Sequence, residues 1–182
     1  MKIQVKLGNL KEAIQVVEKY RDDLPGRCRV FLQKLAELGL ETADVRFSSA
    51  QYDGTNDVKC SIVWDDDNHL RVVAAGGAVT FIEFGTGVYY PEQHPLADQK
   101  GAVRGGYGQG KGSQRTWGYC GEPGTNGLER TRGDTTVVLT HGNPPARAMY
   151  EASKAMREQI MVIAREVLLP SGCPPGAGGA RV

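Results

Sequence analysis

Between Gly101 and Gly133, 11 of 33 residues are glycine. A compact domain seldom carries so long a stretch without regular apolar spacing unless the stretch makes contacts of its own. It begins just after Phe81-Ile82-Glu83-Phe84-Gly85-Thr86-Gly87-Val88, a strand-like apolar run that stops at Gly-Thr-Gly. It ends before Asn143-Pro144-Pro145, which reads as the start of a helix. The chain is thus expected to divide into a packed body and an inserted flexible loop at about 86–134.

The body reads as α+β. Asn9 caps a first helix with Leu10, Ala13, Ile14 and Val17 on one face. Leu24, Cys28, Phe31, Leu35 and Leu38 mark a second helix, with Pro25 in its first turn and Gly39 at its stop. The period then becomes two. Val45 and Phe47 suggest a strand, Val58–Trp64 and Leu70–Ala74 a hairpin joined at Asp65-Asp66-Asp67-Asn68, and Val79–Phe84 another strand. The short links favour an antiparallel meander. Thr135–Thr140 reads as a last strand. Met149, Ala152, Met156, Ile160, Ile163 and Val167 make a long C-terminal helix that packs on the sheet, with apolar breadth left for a neighbouring subunit. Met1–Leu7 alternates like a short strand or extended arm rather than a signal sequence. The expected organisation is one domain over 1–169 and a disordered tail over 170–182.

Composition narrows the function classes. The chain has 182 residues, 40% apolar and 24% charged, with a net charge of +1. That balance argues against a protein that coats nucleic acid along its whole surface. No run of about 18 apolar residues is present, so no membrane span is expected. Cys28, Cys60, Cys120 and Cys173 lack C-x-x-C spacing, which points to reduced thiols rather than a zinc site or disulfide framework. His69, His94 and His141 are dispersed, and no nucleophile elbow occurs. No catalytic residue, metal or cofactor is expected.

Gly105–Gly112 spells G-x-x-x-x-G-K-G, but a phosphate-binding loop needs Ser or Thr after Lys111, and Gly112 stands there. A nucleotide-binding enzyme built on Gly105–Lys111 is therefore the remote alternative. The loop is basic: Lys100, Arg104, Lys111, Arg115, Arg130 and Arg132 face only Glu122 and Glu129, with Tyr107, Trp117 and Tyr119 interspersed. Such a mixture suits a phosphate backbone or a stacking surface. It also suits a solvated loop whose aromatics fold back on the body.

The order of these features resembles the tail-completion family of long-tailed bacteriophages, also described as head–tail joining or neck proteins. The residues that carry the resemblance are Glu83-Phe84-Gly85-Thr86-Gly87, Trp117-Gly118-Tyr119 and Thr140-His141-Gly142-Asn143-Pro144-Pro145, with Met149-Tyr150 and Ala152 following. The resemblance spans about residues 5 to 168. It implies a structural virion protein of the tail or neck, assembled in the host cytoplasm. Members are similar in forming a homo-oligomeric ring, typically of six, between the head-closure (connector) protein and the tail tube protein, with DNA passing through the lumen without sequence specificity. A head-closure or tail-tube-like subunit is the alternative in the same assembly. Glu83, Phe84, Gly85, Thr86, Gly87, Trp117 and Tyr119 would then lie at subunit, tail or connector interfaces. Lys100, Arg104, Lys111 and Arg115 would touch DNA or line the lumen.

Overall fold

The computed structural model describes residues 10–88, 90, 93–103, 106 and 114–169. The Asn9 cap, the Met1–Leu7 arm, Arg104, Lys111, most of the Gly105–Gly112 loop, Cys173 and the 170–182 tail lie outside the described residues. The fold is α+β. A long helix α1 (Leu10–Ser48) leads to the hairpin β1 (Lys59–Trp64) and β2 (Leu70–Ala75). A short helix α2 (Val79–Phe84) comes next, then a 3-10 turn at Asp98–Lys100. Strands β3 (Trp117–Tyr119), β4 (Leu128–Arg132) and β5 (Thr135–Thr140) precede helix α3 (Ala148–Leu168).

The two N-terminal helices expected from the sequence are one. Pro25 sits inside α1 rather than in a first turn, where it removes a backbone donor and normally kinks a helix. Tertiary contacts hold the chain helical on both sides of it. Tyr20 donates its hydroxyl to Leu168 O at 2.9 Å, and Arg27 Nη1 donates to Val167 O at 3.1 Å. These are carbonyls at the end of α3 that have no partner within their own helix. Gly39 does not end a helix either. It is buried, and a β-carbon there would lie 2.7 Å from Met156 Sδ. The missing side chain lets α3 approach.

Val45 and Phe47 belong to the last turns of α1, not to a strand. Ala36, Gly39, Ala43 and Phe47 recur at helical spacing and are the buried residues of this helix. The expected packing of the C-terminal helix on a sheet is likewise corrected, because α3 runs chiefly along α1. Lys34 Nζ meets Glu166 at 2.5 Å, and Arg46 Nη1 donates to Ala146 O at 3.4 Å.

The β1–β2 hairpin pairs as its alternation predicts, Lys59 opposite Ala75 through Trp64 opposite Leu70. Each acidic residue of its turn has a side-chain partner. Arg71 grips Asp65 with two nitrogens at 2.6 Å, His69 contacts Asp66 at 2.8 Å, and Arg29 reaches Asp67 at 2.6 Å while lying over the Trp64 ring. There is no single meander. β3, β5 and β4 form a separate antiparallel sheet in that order, so the described part of 86–134 holds regular structure.

Cys60 on β1 is half-buried, and burial, followed by the nearby Asp44 carboxylate, pushes its thiol up to about 11. That leaves roughly a thousandth of it ionised at pH 8. Mass-mapped maleimide labelling at pH 8 is expected to modify exposed Cys120 far faster than Cys60. Equal rates at the two sites would contradict this placement. No described helix is long and apolar enough to cross a membrane.

Candidate functional site

Glu83 lies at the end of α2, not at the end of a strand. The segment Val79–Phe84 is β-branched and aromatic, which favours a strand locally. A remote cap overrides that preference. Asp57 accepts Gly77 N–H at 2.7 Å and Ala78 N–H at 2.9 Å at the start of the helix. The backbone donors of Ala78 and Gly77 hold the Asp57 carboxyl below its usual range. Gly85 then ends α2 at φ 79°. The turn needs glycine for a second reason: a β-carbon there would lie 2.7 Å from Asn143 O and 2.8 Å from Pro145 N.

Asn143 does not cap α3, whose first helical residue is Ala148. Two prolines force the preceding backbone to stay extended. The cap comes from elsewhere in the chain. The Glu83 carboxylate accepts Met149 N–H at 2.8 Å and Tyr150 N–H at 3.0 Å. Just before them, Ala146 N–H donates to Ile82 O at 2.8 Å and Arg147 N–H to Glu83 O at 3.2 Å. The carbonyls that end α2 and the amides that begin α3 are therefore satisfied by one joint. A carboxylate at a helix N-terminus is also favoured by the helix dipole.

His94 completes the joint. Its Nδ1 accepts Leu96 N–H at 3.0 Å, so its proton sits on Nε2, which faces Glu83 Oε1 at 3.1 Å. The ring is buried between Phe84, 4.4 Å away by centroids, and Tyr150 at 5.5 Å. This pins the beginning of the glycine-rich segment, where Ala97 and Ala102 are also buried.

Asn143 is fully buried and ties four segments together. Its amide donates to Asp53 Oδ1 and to Thr86 Oγ1, the latter at 3.2 Å. Its carbonyl oxygen accepts Asp53 N–H and Asn126 Nδ2, each at 3.1 Å. Its own N–H donates to Thr86 Oγ1 at 3.0 Å. Burial pushes the Asp53 carboxyl above its usual value, and its Oδ2 has no hydrogen-bond partner. Tyr119 donates its hydroxyl to Asp53 O and Glu122 O. Burial first, then the Asp53 charge, pushes its phenol up to about 12, so it stays a donor. Trp117 pairs with Thr140, and its ring edge would meet a β-carbon placed on Gly87 at 3.2 Å.

Comparison with family models, with curated proteins and with solved structures found no match.

The sequence motifs thus converge. Glu83, Gly85 and Thr86 meet the 141–150 segment and Gly87 approaches Trp117, while Tyr119 reaches Asp53, which Asn143 holds, all within one chain. Glu83, Gly85 and Gly87 are buried by their own chain, so their contacts are intramolecular. Lys100 and Arg115 are exposed, and the Arg115 carbonyl oxygen lies 3.3 Å from His141 Nδ1 at the edge of this clasp. His94, Asp53 and Asn126 carry no signal in the sequence that marks them as site residues. Their partners lie 11, 90 and 17 residues away, and no local pattern links them.

Around Glu83 the clasp is fully hydrogen-bonded, whereas Asp53 Oδ2 beside Asn143 has no partner. Each Glu83 oxygen serves a helix amide, and both His94 nitrogens are engaged. Among the described residues no cluster of three or more His, Cys, Asp or Glu could hold a metal. A shallow cleft of about 260 Å³ lies between the end of α1 and Pro144-Pro145. Its single charged residue, Arg46, leans toward Glu151 at 3.9 Å.

Proposed function

We propose that the chain is a ring-forming structural subunit of a phage virion, a tail-completion or tail-terminator protein at the head–tail junction. In this reading the ring closes the tail tube, joins it to the connector and lets DNA through. It performs no catalysis.

The observation that carries the proposal is the imbalance between core and surface. Seven of the ten buried apolar side chains among the described residues are alanines; the others are Phe47, Ile82 and Val138. Twelve larger apolar side chains are exposed. A subunit with so thin a core and so much uncovered apolar surface is suited to bury part of that surface against neighbours. The clasp adds support of a second kind. The three motifs behind the family resemblance are far apart in sequence yet form one hydrogen-bonded unit that fixes where α3 begins. Ring closure then needs unlike surfaces on the two sides of each subunit. Lys100 and Arg115, both exposed, together with Arg104 and Lys111, supply positive charge for DNA passage in this reading.

Negative-stain images of the purified protein, alone and mixed with tail tube protein, test the assignment. Single rings that cap tube ends are expected. Long tubes of this chain alone would reassign it to the tube, and particles with no rings under either condition would overturn the reading.

A further inference from the structure

Of the five asparagines in the chain, Asn126 alone is followed by a glycine, Gly127. In such a pair the glycine amide nitrogen can attack the asparagine side-chain carbonyl, because no β-carbon on the second residue shields it. The attack forms the N–Cγ bond of a five-membered succinimide and expels the side-chain nitrogen as ammonia. Water then opens the ring to aspartate or isoaspartate, with no oxidant or cofactor required. Asn143 is spared, because Pro144 has no amide hydrogen to give up. The glycine at 127 is needed by the fold itself: a β-carbon there would collide with Val138 Cγ1 and Pro123 O.

The clasp restrains both reacting groups. Gly127 N–H donates to Pro123 O at 2.8 Å, so the nucleophile keeps its proton. The Asn126 amide, which carries the leaving nitrogen, donates to Gly142 O at 2.9 Å and to Asn143 Oδ1 at 3.1 Å. Thr125 ties the same turn to Tyr52, giving its N–H to Tyr52 O at 2.7 Å and accepting Tyr52 N–H on Oγ1 at 2.8 Å. Asn126 is exposed, so water reaches it as soon as the turn opens.

We propose that Asn126 is a spontaneous deamidation site that the closed clasp protects and whose product opens the clasp. The reaction needs no second subunit and does not depend on the ring reading. It replaces an NH₂ that gives hydrogens by a carboxylate that gives none. Gly142 O and Asn143 Oδ1 then lose their donor and face oxygen instead. Asn143 cannot turn its amide around to answer, because its nitrogen already serves Asp53 Oδ1 and Thr86 Oγ1. The new charge also arrives beside the residue that holds the buried Asp53 carboxyl, so like charges are brought together. In the isoaspartate product the backbone gains a methylene inside the turn that Pro123 O and Gly127 N–H close. The change does not reverse, so deamidated molecules accumulate in proportion to how often the turn opens.

Ageing the purified chain at mildly alkaline pH, folded and in urea, with peptide mapping by mass, tests the proposal. Exchange of NH₂ for OH at Asn126 is expected in urea. In the folded chain it should run at least about tenfold slower, since reaction follows the open fraction of the turn. The deamidated folded protein, separated by ion exchange, should exchange the amide hydrogens of Asp53, Thr125 and Gly127 at least about tenfold faster than the unmodified chain. Asn126→Ser, which has no amide to lose, should age without that change. Absence of reaction at Asn126 in urea overturns the site. Equal rates in urea and in the folded chain overturn the protection by the clasp. Unchanged amide exchange in the deamidated protein overturns the opening, and so does an equal loss of protection in aged Asn126→Ser.

Discussion

Replacing Glu83 with Ala is expected to cost about 3–5 kcal/mol of folding stability. The carboxylate accepts the amides of Met149 and Tyr150 and the Nε2 proton of His94, all in a region closed to water. Each donor left unsatisfied costs about 1–3 kcal/mol. The truncation also opens a small cavity beside Phe84 and Tyr150. Glu83→Gln keeps the volume but replaces one acceptor oxygen by an NH₂ group that must face a donor, so a loss of about 2 kcal/mol or more is expected there too. In urea, the midpoint should fall for both variants, with Ala the lower. In a thermal melt the Ala variant should drop by about 10 °C. A change below about 1 kcal/mol for Glu83→Ala would mean that the carboxylate does not join the two helices.

Asn143→Ala is expected to cost about 3–4 kcal/mol. The side chain is fully buried and serves Asp53, Thr86 and Asn126 at once. Its removal separates the α2 turn from the Tyr52-Asp53 segment that also receives Tyr119. Asn143→Asp adds a pH signature. Asp53 already has its carboxyl raised by burial, so the fold disfavours its ionised form. A raised carboxyl favours folding below its unfolded value near 3.8, and that advantage is lost as pH rises through the folded value. A second carboxylate beside it enlarges this dependence. Asn143→Asp should therefore be much more destabilised at about pH 7 than at about pH 4, and Asn143→Ala, which removes the hydrogen bond that lowers the Asp53 carboxyl, should follow the same direction with a smaller slope. Parallel pH profiles for the two variants would contradict the pairing of Asn143 with Asp53.

What the sequence reveals depends on how local the cause is. The β1–β2 hairpin is legible because its alternation, its acidic turn and its register all lie within one short stretch, Lys59 to Ala75. Strand β5 and the span of α3 are legible for the same reason. A second helix starting near Pro25 and stopping at Gly39 is expected because proline suits a first turn and glycine a C-terminal stop. Both are overridden by α3, which is remote in sequence and supplies carbonyls to Tyr20 and Arg27 and a thioether to Gly39. Phe81–Phe84 reads as a strand because the Asp57 cap that makes it helical comes from 20 residues upstream. Asn143 stands out in the sequence, but as an N-cap. Only the fold shows that Glu83 takes that place, and that Asn143 turns inward to Asp53 and Thr86. The motifs of the resemblance thus mark residues that meet, and the contacts they make lie within the chain.

The most direct test of the central claim is the solution mass of the purified chain at tens of micromolar and physiological salt. A ring of six copies of the 19.7 kDa chain predicts about 118 kDa. A single species at 19.7 kDa across that range would contradict it.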